Sequence, residues 1–161
     1  MEMKRILCAI DLMDTINPAI EPAKMFAKLT GASLSVAYVL PSRAFHEIQV
    51  PVEKESRDLF GAQKTSSRND MMQAIWTRAR EDMDKFLQEH FPGMDAEGIV
   101  YEGRPAEKLV EIADGIGADM IVMGTHAREG LDRLFFGSVA SEVVRTAKCY
   151  VLTTRPKEKA E

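Results

Sequence analysis

No apolar run in this sequence approaches the ~20 residues that a membrane-spanning helix needs. The first residues have no apolar signal-peptide segment, because Met3-Lys4-Arg5 leads directly into a short strand-like run. Cysteine is scarce. Cys8 and Cys149 each sit inside an apolar run, and no second ligand stands at metal spacing. Both read as small buried hydrophobes, so the expected setting is a reducing, cytoplasmic one without a membrane partner. Basic residues are in the minority, with 21 Lys and Arg against 25 Asp and Glu and a net charge of −4. That balance argues against a nucleic-acid partner, which usually takes a basic face. The three histidines are scattered, and His126 has no evident serine or cysteine nucleophile, so no hydrolytic constellation is visible. A G-x-x-x-x-G-K-[ST] phosphate loop is lacking as well. Gly115-Ile-Gly117 starts like a dinucleotide fingerprint, but it precedes its strand and has no third glycine. It reads as a helix stop followed by a turn.

What remains is an alternation of short apolar runs and helical periods within 161 residues, the length of one domain. Residues 6–10 form a continuous apolar run that reads as a fully buried strand ending at Asp11. A helix is expected over 17–30, opened by Asn17-Pro18 and closed by Gly31. A second strand covers 34–40 and stops at Pro41. Residues 41–68 are polar, contain Pro41 and Pro51, and show no sustained period, so they are expected to form an irregular, functional or mobile loop. Residues 69–90 space Met72, Ile75, Trp76, Ala79, Met83, Phe86 and Leu87 three and four apart, the pattern of a helix, with Asn69 as its cap. A weak strand at 98–101, a helix from Pro105 to about Gly115, a strand at 120–123, a helix over about 138–147 and a strand at 149–154 complete the order. The tail 156–161 is charged. Continuous rather than alternating strands, separated by helices, indicate an α/β domain with a doubly wound parallel sheet covered on both faces.

In such sheets a ligand sits beyond the carboxyl ends of the strands, where the strand order reverses. Two segments there can carry chemistry. The loop 124–138 leaves the strand at Met123-Gly124 and enters a helix at Gly137-Ser138-Val139. Its glycines let the backbone come close to an anion, and free N–H groups at the helix start point toward it. Ser138 is expected to cap that helix and to donate to a phosphate, with His126, Arg128 and Arg133 as further donors. The alternative is a structural connection whose glycines only satisfy tight turns. Asp11 also has competing roles: accepting hydrogen bonds from ribose hydroxyls, making a local Asx turn, or joining Asp14 at a divalent ion.

On these residues the chain resembles a universal stress protein domain along nearly its full length. Lys4-Arg-Ile-Leu-Cys-Ala-Ile-Asp11 matches the family's opening strand and terminal aspartate, and Gly103-Arg-Pro-Ala-Glu107 resembles its Gly-x-Pro helix entry. Asp119-Met-Ile-Val-Met-Gly-Thr-His126, Leu134-Phe-Phe-Gly-Ser-Val-Ala140 and Cys149-Tyr-Val-Leu resemble the fourth strand, the end of the nucleotide loop and the last strand. Tyr150 stands where a proline is commoner. Gly124, Gly137 and Ser138 fall on the ATP-binding branch's pattern of G-x-x-G, nine residues, then G-[ST]. Ala127 replaces the second glycine.

The resemblance implies five parallel strands in the order 3-2-1-4-5, an adenine nucleotide alpha hydrolase-like fold, in one domain over residues 1–155. It implies that Asp11 and Val39 line the adenine and ribose, that Gly124, His126, Ala127, Gly137, Ser138 and Val139 surround the phosphates, and that Met123 is a further cofactor-binding residue. ATP is the implied cofactor, with Mg2+ or Mn2+ held mainly by its phosphates, and the implied partner is a second copy paired through residues 149–154. Ala127 is expected to weaken or adjust nucleotide binding without removing it. The expected function is an ATP-binding, homodimeric stress-response protein, with the nucleotide as a switch that orders 124–138 and 41–68. An interaction module that binds no nucleotide is the alternative, and a slow ATP hydrolase is a third.

Overall fold

The computed structural model describes residues 2–41, 68–125 and 137–156. Nine elements follow one another in these segments: β1 (Arg5–Ile10), α1 (Ile20–Thr30), β2 (Ser33–Pro41), α2 (Arg68–His90), β3 (Ala96–Gly103), α3 (Pro105–Ile116), β4 (Met120–Gly124), α4 (Ser138–Thr146) and β5 (Tyr150–Thr154). The five strands form one parallel sheet in the order β3-β2-β1-β4-β5, as the resemblance implies.

Strand alternation sends side chains to two separate cores. On one face Ile6, Cys8, Ile10, Val36 and Tyr38 pack against α1 and α2, through Ala23, Ala27, Ala79, Met83 and Phe86. On the other Leu7, Ala9, Ala37, Val39 and Ile121 pack against α3 and α4, through Leu109, Ile112, Ala140 and Val143. The strands therefore lose water on both sides. That is why β1 and β4 are continuous apolar runs, with each fully buried aliphatic side chain contributing about 1.5–3 kcal/mol. Cys8 is part of this interior, free and fully buried, and burial pushes its thiol up to about 12.

Several boundaries differ from the sequence-based expectation. The first helix begins at Ile20 rather than 17, with Ala19 at the cap position. Asn17 does not start it, because its side chain is engaged by the backbone of the preceding loop. Asn69 lies inside α2, which already includes Arg68, so it is not the cap. β3 extends from Ala96 to Gly103, well beyond 98–101. Its outer residues are polar and part-exposed, so no apolar run announces them. β5 starts at Tyr150, leaving the half-buried Cys149 outside it. Gly117 takes a left-handed backbone at φ 64° and its N–H closes onto Ala113 and Asp114, so the Gly115–Gly117 segment is a helix stop. The expected 41–68 loop lies, apart from its first and last residues, outside the described residues.

The amino ends of the strands are stitched by one side chain, that of Asp119, just before β4. Asp119 Oδ2 accepts the backbone N–H groups of Lys4 (2.7 Å) and Arg5 (2.9 Å). Its own N–H donates to Arg5 O, and its carbonyl accepts Tyr150 N–H. One residue therefore aligns β1, β4 and β5. The two backbone donors, Lys4 first, hold its carboxyl below the usual 3.8. A depressed carboxyl contributes stability that is present above the unfolded-state pKa and lost as pH falls through the folded one. Asp119→Asn should therefore melt below the parent at neutral pH. The difference should shrink once pH falls below about 3.8, as melting curves from pH 7 to 2 will show.

Candidate functional site

β1 is the pivot of the sheet. It pairs β2 on one side and β4 on the other, with Ile10 opposite Tyr38 and Ala9 opposite Met123. After β1 the chain winds toward β2 and β3, then crosses back to β4. The carboxyl ends of β1 and β4 are therefore neighbours whose connections leave in opposite directions, the arrangement that opens a crevice in parallel sheets. Asp11 stands at one lip of it. Gly124 and Thr125 stand at the other.

Asp11 is half-buried, and its surroundings decide one of the alternatives left open. Its carboxylate Oδ1 accepts Met13 N–H at 2.9 Å, which is an Asx turn. Its backbone N–H donates to Asn17 Oδ1 at 3.0 Å, and its carbonyl accepts Asn17 Nδ2 at 3.1 Å and Asp14 N–H at 3.2 Å. Asn17 thus clamps both sides of the Asp11 peptide and fixes where the carboxylate begins. The turn uses one carboxylate oxygen. On the neighbouring strand, burial first and then the charges of Asp11 and Asp82 push the Tyr38 hydroxyl above its usual range. Tyr38 packs in the α1/α2 core, while Val39, beside it, is buried in the opposite core.

At the β4 lip, backbone groups do the work. Met123 is buried, and its carbonyl accepts Thr154 Oγ1 at 3.1 Å. Gly124 is half-buried, opposite Thr154 in the β4–β5 register. Thr125 is a fully buried polar residue whose N–H donates to Thr154 O at 2.9 Å. Its carbonyl accepts Gly137 N–H at 2.8 Å, so residues 125 and 137, the two described ends of the loop, are bonded to each other. The approach is close: a Cβ on Gly137 would meet Thr125 O at 2.8 Å. Gly137 has φ −58°, open to any residue, so glycine is required here for space and not for its backbone angle.

Gly137 is also the residue that caps α4. Its carbonyl accepts Ser141 N–H, and no side chain caps the helix. The expectation that Ser138 caps it is therefore corrected. Ser138 is the first helical residue, exposed, with its hydroxyl outside the cap. Val139 is half-buried against the second core. The first N–H groups of α4 lie at the mouth of the loop and give it a partial positive charge.

The fold thus brings Asp11, Gly124, Gly137 and Ser138 to the carboxyl edge of the sheet, with Met123, Val39 and Val139 in the packing beneath. His126, Ala127, Arg128 and Arg133 lie outside the described residues. Among the described residues no group of three or more His, Cys, Asp or Glu side chains is gathered for a metal ion, Asp11 and Asp14 included. No described helix is long and apolar enough to cross a membrane. The motifs point to Asn17 as a helix start and not as a clamp on Asp11, and they assign no role to Thr125 or Thr154, although Thr125 lies between Gly124 and His126.

The sequence model of the universal stress protein family matches residues 2–155. The chain is 30% identical over 156 residues to the universal stress protein MJ0531 of Methanocaldococcus jannaschii, covering 97% of this chain and 84% of that protein. The solved structure of protein MJ0577 from the same organism is similar with a TM-score of 0.72 at 21% identity, over 99% of this chain and 100% of that one. A universal stress protein from Archaeoglobus fulgidus, solved in complex with dAMP, is similar with a TM-score of 0.54 at 22% identity, over 96% and 99% of the two chains. The family model matches nearly the whole length and the sheet order agrees with it: the chain belongs to the universal stress protein family.

Proposed function

We propose that this chain is an ATP-binding, homodimeric stress-response protein in which the nucleotide acts as a conformational switch. The observation that carries the proposal is the Thr125–Gly137 closure. It draws the start of α4 against the end of β4, beside Asp11 and at the point where the strand order reverses. Backbone N–H groups there suit phosphate oxygens. The Asp11 carboxylate, held by its turn, suits ribose hydroxyls. The Archaeoglobus fulgidus relative, solved with dAMP, lends support for an adenine nucleotide. Val39, Met123, Gly124, His126, Ala127, Ser138 and Val139 complete the proposed contact set, and Mg2+ or Mn2+ would be held by the phosphates.

The dimer would form through residues 149–154. β5 pairs only with β4 among the described residues, and Tyr150 is 56% exposed. Its sequence YVLTT carries no charge, so a copy related by a two-fold axis would meet it without like-charge conflict. The free thiols Cys8 and Cys149 suit a reducing, cytoplasmic setting. Residues 1–155 would act as one domain, with 156–161 as a tail.

Ala127, where the ATP-binding pattern has glycine, favours a second reading, an interaction module that works without nucleotide. Native mass spectrometry of the protein as purified separates the two. A mass increment equal to an adenine nucleotide on a dimer supports the switch. Protein that stays free of nucleotide even after incubation with millimolar ATP and magnesium supports the module.

A further inference from the structure

A cavity lies away from the proposed nucleotide crevice, along the other edge of the sheet. β3 pairs with β2 on one side, and no strand covers its outer edge among the described residues. That edge is recessed. α2 and α3, on opposite faces of the sheet, border it and leave a cavity of about 780 Å³ along Glu97–Tyr101, walled by Met83 and Asp84 above and Glu111 and Ile112 below. A strand laid against five residues would be about 17 Å long at ~3.3 Å per residue. Its alternate side chains would point toward the two helices.

The charges select the occupant. Asp84 and Glu97 are exposed and have no ion pair among the described residues. Glu111 is taken by Lys108. Arg80, the cation of the slot, lies 5.9 Å from the centre of the Trp76 ring. A second copy of β3 fits poorly: two-fold antiparallel pairing over Ala96–Gly103 sets Glu97 against Glu102 twice, and like charges directly opposite destabilise a sheet. The uncharged β5 carries no such conflict.

We propose that this slot docks an extended, lysine- or arginine-bearing segment of another polypeptide as a sixth strand beside β3. Backbone hydrogen bonds to the open edge would hold the segment. Asp84 and Glu97 would choose its charge.

The test is amide hydrogen exchange by NMR on the full chain, with an octapeptide of alternating Lys and Val and a matched peptide of alternating Glu and Val. The Lys peptide should slow exchange at residues 97–101 at least tenfold, while the Glu peptide leaves it unchanged. The exposed-surface variant Asp84→Lys/Glu97→Lys should reverse the preference. The proposal is overturned if the Lys peptide leaves these amides unchanged, slows them equally in the variant, or slows only those of β5. Protection that grows with protein concentration in the absence of peptide would put a second copy in the slot and overturn it as well.

Discussion

Gly137→Val should abolish nucleotide binding and lower the melting temperature together. The first atom of any side chain at this position would lie 2.8 Å from Thr125 O, closer than a carbon can stand. The neighbouring atom is backbone of a fully buried residue, already bonded to Thr154, and cannot swing aside. The loop ends must part, which breaks the Gly137 N–H···O Thr125 bond and turns the start of α4 away from the crevice. Overpacking of this kind costs about 1–3 kcal/mol. In a domain of this length that is roughly 2–4 °C of melting temperature per kcal/mol. Because the backbone angles at Gly137 are ordinary, Gly137→Ala should show the same two losses in weaker form. Thermal melts and calorimetric ATP titrations of both variants check this. A valine variant that melts and binds like the parent would refute the closure as the site's organising contact.

Asp11 gives the second large effect and separates turn from ligand. Asp11→Asn keeps an oxygen to accept Met13 N–H, so the turn survives and stability should change by no more than about 0.5 kcal/mol. The charge is lost. A hydrogen bond to a charged group is worth about 1.5–3 kcal/mol, so ATP affinity should fall roughly ten- to a hundredfold. Asp11→Ala should lose that affinity and about 1 kcal/mol of stability besides, since the turn goes too. Isothermal titration beside chemical denaturation reads both quantities. Unchanged affinity in Asp11→Asn would leave the residue as a turn former alone.

The parts of the fold set by burial are legible in the sequence. Residues 6–10 and 120–123 lose water on both faces, and only a continuous apolar run can do that. Gly31 and Gly117 mark helix ends because a left-handed backbone there favours glycine. The sheet order came from the family resemblance, since apolar runs do not say which strands are neighbours. Contacts between a polar side chain and distant backbone were not legible. Asn17 can cap a helix or clamp a loop, and what decides is the position of Asp11 and Asp14, which depends on the loop's path. Asp119 reaches residues more than a hundred positions away. Gly137 is readable as a glycine at a helix start, yet its close contact with Thr125 depends on two chain segments meeting. The outer residues of β3 carry an edge strand's polar sequence, which has no apolar signature to find.

The central claim, that this crevice holds ATP, is tested most directly by the melting temperature of the parent protein across an ATP series with magnesium. Binding to the folded state alone adds about 2.7 kcal/mol at a hundred times the dissociation constant. That corresponds to a rise of roughly 5–10 °C. The expected result is a rise of that size in the parent and none in Gly137→Val. A parent melting temperature that stays fixed up to millimolar ATP would contradict the account.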